Sequence, residues 1–257
     1  MKSEPNDRRF NNEARKGNQM SGILISMASL KGGTRKSSHV IGLASGLIDL
    51  GHTVRIIDAD EQGSSEQWLS RVQEVTPNLD GHFVDLDALS LDDAVTYVSD
   101  ATEGVDFTLV DTKGAVCNSV NAALLASDLV LSPFKLTEFD VSGLFTTRSV
   151  LQDALESYGE DPSDANAIVA LYVADVAFIS NHNKDRLTAL SEEFFVRRGF
   201  PDSPIFPQWV ENGRTPAQML DGIAAIPGAP PIKSHQIQRI AEQTKDLANK
   251  VKELIDA

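Results

Sequence analysis

The stretch Gly22–Ser38, GILISMASLKGGTRKSS, decides how the rest of the chain is read. Ile23, Leu24, Ile25 and Met27 form a short apolar run of the kind a buried parallel strand needs, and Gly32 and Gly33 end it abruptly. Behind the turn, from Lys36 to Leu50, apolar residues recur at Val40, Leu43, Leu47 and Leu50, a helical spacing. The order is strand, glycine turn, helix. A helix start preceded by glycines presents several backbone N–H groups converging on one point, together with the positive end of the helix dipole, and such a place binds phosphate. Lys36 would bring a point charge to the β- and γ-phosphates of a nucleoside triphosphate, and the Ser37 hydroxyl would ligate magnesium. The plainer alternative is a glycine turn that happens to carry lysines.

The strict pattern G-x-x-x-x-G-K-[ST] is broken at both glycines, by Leu30 and Arg35. What remains, K-G-G-x-x-K-S from Lys31 to Ser37, resembles the deviant Walker A motif of the ParA/MinD family. That resemblance implies ATP and Mg²⁺ as cofactors and an ATP-dependent homodimer, in which Lys31 reaches the nucleotide held by the other subunit. It gives Gly32, Gly33, Thr34, Arg35, Lys36, Ser37 and Ser38 as the nucleotide-binding loop. Relatives commonly have glycine where this chain has Arg35, so that side chain projects to solvent, contacts phosphate, or crowds the pocket.

Farther along, His52–Asp58 reads as a second strand running into Asp58-Ala59-Asp60-Glu61-Gln62-Gly63-Ser64, which sets two carboxylates at the end of a parallel strand where ligands of open α/β sheets collect. The run resembles the family's D-x-D-P-Q-G segment, with Glu61 in place of proline. By that resemblance Asp60 joins Lys31 and Lys36 as a catalytic residue that positions the attacking water, and Asp58 supports the metal shell. Asp106–Gly114, DFTLVDTKG, is a buried strand ending in Asp111, the Walker B arrangement for holding magnesium. The metal set is therefore Ser37, Asp58 and Asp111. Relatives continue after this aspartate with a proline or glycine-rich turn; here Lys113 and Gly114 follow. The phrase LSPFKLTEFDVSGL, Leu131–Leu144, is similar to the P-x-x-L-T-x-x-D-x-x-x-L segment of ParA relatives, most closely the virulence-region relative that assists T-DNA transfer. Asp140 in it either serves the dimer surface or caps its own helix.

The remaining elements fill out an alternation of strands and helices: helices over 64–75, 91–98, 118–126, 137–158, 186–198 and 236–255, and strands over 82–86, 128–134 (ended by Pro133), 168–176 and 204–206. Trp68 belongs to the core. The pattern predicts a single doubly wound α/β domain with a mostly parallel sheet flanked by helices, covering residues 21–257 behind a polar, aperiodic tail at 1–20. A proline-rich break at Pro227, Pro230 and Pro231 precedes the last helix.

Charge and cysteine content narrow the setting. The net charge of −14 is uneven: five basic against three acidic residues over 1–19, eight against 24 over 20–180, and ten against ten over 181–257. So acidic a body disfavours broad DNA contact by the monomer, which places any such contact at the ends or on a face assembled by dimerisation. Cys117 is the only cysteine, which excludes an intrachain disulfide and suits a reducing, cytoplasmic setting. No apolar run approaches the roughly 20 residues of a membrane span, so a membrane partner is not expected. DNA and a DNA-bound adaptor protein are the partners the family resemblance implies. A nucleotide-gated scaffold with little hydrolysis, or a small-molecule ligase of the same P-loop class, are the alternatives.

Overall fold

The computed structural model describes residues 22–173, 179–201, 203–222 and 231–256. The expected tail at 1–20, the end of the 168–176 strand, and Pro227 and Pro230 lie outside the described residues. Seven strands form one sheet in the order β3-β2-β4-β1-β5-β6-β7, with every pairing parallel. They are β1 (Ile23–Met27), β2 (Val54–Asp58), β3 (Leu79–Phe83), β4 (Phe107–Asp111), β5 (Leu129–Lys135), β6 (Val169–Val173) and β7 (Phe195–Arg198). Helices α1 (Lys36–Asp49), α2 (Ser64–Val72), α3 (Leu91–Asp100), α4 (Asn118–Ala126), α5 (Glu138–Ser157), α6 (Asn181–Ser191), α7 (Phe206–Asn212), α8 (Pro216–Asp221) and α9 (Ser234–Asp256) connect and cover them. This is the predicted doubly wound α/β architecture.

The central strands are apolar on both faces because both faces are covered. Alternation divides them: Ile25 and Met27 of β1 and Leu109 of β4 point into the core beneath α1, α2, α7 and α9, while Leu24 and Val110 point into the opposite core with α3 and α4. Helix α9 crosses α1 at backbone contact. A Cβ on Gly46 would sit 2.1 Å from the Thr244 carbonyl oxygen, so only glycine permits the crossing. Thr137 caps α5 by accepting the Asp140 amide, as its position predicts.

Several expected elements move. The third strand occupies Leu79–Phe83 rather than 82–86, and Leu86 falls in a 3₁₀ turn. Asp80 and Gly81 are poor strand formers, but a Cβ on Gly81 would stand 2.4 Å from the Ile56 carbonyl oxygen, so close backbone approach overrides propensity there. Strand β5 runs through Pro133 to Lys135, because β1 stops pairing at Leu131 and the missing N–H of Pro133 faces an edge already open. The expected helix over 186–198 divides: α6 starts earlier, capped by the Ser180 side chain, and Phe195–Arg198 pairs with β6 as the edge strand, with Arg197 and Arg198 exposed. Residues 204–206 are no strand. They turn into α7, whose first turn accommodates Pro207.

Candidate nucleotide site

The register of the sheet assembles the site. Asp111 of β4 stands abreast of Met27 on one side and Asp58 on the other, so the two carboxylates and the loop leaving β1 meet at one end of the sheet. The turn between β1 and α1 closes through left-handed conformations at Gly33 (φ 78°) and Arg35 (φ 73°), the latter being the sole non-glycine residue with positive φ among the described residues. A side chain at that backbone setting carries strain that glycine would not. Arg35 is among the residues that line the cavity. A cavity of about 700 Å³ is bounded by Gly32 to Ser38, Asp60, Glu61, Lys113, Gly114 and Phe206, among others.

Lys36 lies at the floor, 8% exposed, and its ammonium donates to the Ser29 carbonyl at 3.2 Å. Burial lowers its pKa, and Asp111 and Asp60 oppose that by favouring the charge. Asp111 is fully buried. Its Oδ2 accepts from the Ser65 hydroxyl at 2.6 Å, whereas its Oδ1 is buried with no hydrogen-bond partner among the described residues. Burial and the neighbouring Asp58 charge push its pKa up to about 7, against hydrogen bonds from Ser65 and Ser37 and the charge of Lys36. Asp58 is also raised, by burial first, yet backbone amides of Glu66 (2.9 Å) and Asp60 (3.0 Å) engage both of its oxygens. Asp58 thus anchors the loop that carries Asp60, while Asp111 keeps one buried, unpartnered oxygen; neither carboxylate is among the residues that line the cavity. Asp60 lines the cavity and accepts the Gln62 amide.

Two buried carboxylates with one open lone pair, next to a helix start and a buried lysine, form a donor set that calls for a cation and an anion together. The residues fit magnesium and nucleotide phosphate. Among the described residues no group of three or more His, Cys, Asp or Glu is arranged to hold a metal. Gly114 lies against the loop: a Cβ there would stand 3.3 Å from the Gly32 nitrogen and 3.5 Å from Lys36 Nζ, a tight fit. Lys31 does not enter the cavity of its own chain. It pairs with Asp140 and stands 5.7 Å from the ring centroid of Phe139, which is 80% exposed.

His39 escaped sequence reading. Fully buried in α1, it donates through Nδ1 to the Arg35 carbonyl at 2.8 Å and accepts the Phe200 amide on Nε2 at 2.9 Å, which requires the neutral ring; burial pushes its pKa down to about 4. It ties the strained turn to the segment after β7. A single histidine on an apolar helix face gives no sequence signal for such a role. Phe206, on the cavity wall, was equally silent.

The family model described as VirC1 protein matches residues 22–189. The chain belongs to the VirC1 family. It is 31% identical over 131 residues to the VirC1 protein of Rhizobium radiobacter, a match spanning 50% of this chain and 56% of that protein; the chain thus spans about half the length of the curated relatives it matches. Among solved structures, MinD of Pyrococcus horikoshii complexed with Mg-ADP superposes with a TM-score of 0.60 at 16% identity, covering 91% of this chain and 97% of that one. A single-residue variant of McdA from Cyanothece, complexed with ATP, gives 0.63 at 15%, covering 89% and 97%. The fold of this VirC1-family chain is that of the ParA/MinD P-loop ATPases.

Proposed function

We propose that this VirC1-family protein binds ATP and Mg²⁺ at the cavity between Gly32 and Gly114, dimerises when ATP is bound, and uses the cycle of binding and hydrolysis to position or segregate DNA in the cytoplasm through a DNA-bound adaptor. The observation that carries the reading is the buried, unpartnered Oδ1 of Asp111, on a carboxyl within electrostatic reach of Ser37 and Lys36. Loop amides from Gly32 to Ser38 and the Lys36 ammonium would hold the β- and γ-phosphates. Ser37 and Asp111 would hold magnesium, with Asp58 behind them. The metal supplies charge stabilisation to the transferring phosphoryl group. Asp60 would orient the attacking water, and Lys31, released from Asp140, would serve the nucleotide of the second subunit. Structural neighbours solved with Mg-ADP and with ATP support this cofactor pair.

Sedimentation with ATP against ADP, with and without DNA, tests the reading: ATP alone shifts the wild type to a dimer, and Lys36→Ala abolishes the shift. An unchanged shift in that variant, or no heat of ATP association by calorimetry, overturns it. A second reading, a nucleotide-gated scaffold with little turnover, is favoured by one observation, the left-handed Arg35 on the cavity wall. Single-turnover phosphate release that rises at least about tenfold in Arg35→Gly supports it.

A further inference from the structure

Two of the places where the phosphate-facing loops depart from the family pattern meet each other. Lys113, standing where relatives turn with proline or glycine, reaches Glu61, standing where they have proline, at 2.7 Å; it also reaches Asp87 at 2.6 Å. The two contacts differ in kind. Asp87 is 27% exposed and accepts the Ser119 amide at 2.8 Å as well, so it is fixed to the start of α4. Glu61 is 72% exposed on a loop, and an exposed ion pair of that sort is weak. Lys113 therefore has one firm anchor and one loose one. Both Glu61 and Lys113 line the cavity, and the residue after Lys113 lies against Lys36.

We infer that Lys113 is a triphosphate-sensing residue: anchored by Asp87, its ammonium exchanges Glu61 for the terminal phosphate of a bound nucleoside triphosphate, a group absent from the diphosphate. The inference rests on the nucleotide reading above and deepens it. A phosphate oxygen offers the ammonium a charge-assisted bond in a partly enclosed site, stronger than the exposed contact it replaces. Glu61, the displaced acid, then acts as a competitor for the lysine. It also carries with it the loop holding Asp60, so occupancy of the terminal phosphate position is felt where water would be oriented.

Calorimetry with AMPPNP and with ADP, each with Mg²⁺, on wild type, Lys113→Met and Glu61→Gln tests this. Lys113→Met is expected to weaken AMPPNP by about tenfold or more and leave ADP within about twofold. Glu61→Gln is expected to do the reverse, tightening AMPPNP by about two- to fivefold with ADP unmoved. Opposite signs are the decisive feature, since a clamp needed only for loop structure would make both variants fail in the same direction. Equal effects on the two nucleotides, same-sign effects, or no effect in either variant overturn the inference while leaving the nucleotide reading in place. Absence of binding in the wild type overturns both.

Discussion

Asp111 costs this protein stability until something positive joins it. Its folded pKa, raised to about 7, lies above the ordinary carboxylate value, so the folded state holds a proton that the unfolded chain has released. The stabilisation from that retained proton is present at low pH and is lost as pH rises from about 4 to about 7, a swing of roughly 4 kcal/mol at most. Asp111→Asn is accordingly expected to raise the thermal midpoint of the nucleotide-free protein above pH 7 and to lose that advantage near pH 4, while abolishing any Mg²⁺-dependent stabilisation; melting curves with and without Mg²⁺ check it. His39 works in the other sense. Its folded pKa of about 4 lies below the unfolded value near 6.5, so its contribution is whole above pH 6.5 and falls away as pH drops towards 4, by roughly 3 kcal/mol. His39→Gln should flatten the acid limb of a denaturation profile taken over that window and loosen nucleotide binding, because the Arg35 carbonyl keeps only the backbone amide of residue 39 and the imidazole link to the Phe200 amide is lost.

At the scale of elements, the packing of α9 on α1 is the most exacting contact. Gly46→Val would drive side-chain atoms into the Thr244 carbonyl, and we expect a loss of several kcal/mol in chemical denaturation, well beyond the loss from glycine's flexibility alone. Thr137→Ala, by contrast, removes one cap from a 20-residue helix and should cost about 1 kcal/mol. Which elements were readable from sequence follows the same physics. The five central strands are continuous apolar runs, and α1, α4, α5 and α9 carry helical periodicity with recognisable starts, so local pattern and burial agree. Reading failed at the two edges of the sheet. Asp80 and Gly81 look unlike a strand, yet parallel pairing with β2 makes them one; Phe195 and Val196 continue an amphipathic helix on paper, yet pairing with β6 extends them. Those pairings are non-local, and no window of sequence contains both partners. The loop that lines the cavity was easier to name from sequence than the residues that brace it. Glycines, Lys36, Ser37 and Asp111 advertise phosphate chemistry by type and spacing, whereas the bracing by His39 and the charge pairs of Lys113 arise only when distant loops meet.

For the molecule as a whole, charge sets the terms of association. With a net charge of −14, two copies repel, so the dimerisation proposed above would have to draw on specific contacts and should be steeper in nucleotide and salt than a neutral protein would show. Lys31→Ala should leave ATP binding by the monomer within about twofold and remove the ATP-dependent dimer, read by sedimentation at two ionic strengths. No helix among the described residues is long and apolar enough to cross a membrane.

Among the described residues the sheet terminates at β7 in a row of backbone groups onto which another chain could zip, and the two solvent-facing arginines there act as a guard. Recruiting more copies by strand addition would mean stacking like charges rung upon rung. Strand addition at this edge is thereby disfavoured; exchanging Arg197 and Arg198 for threonine should convert a clear solution into one that scatters light and binds thioflavin.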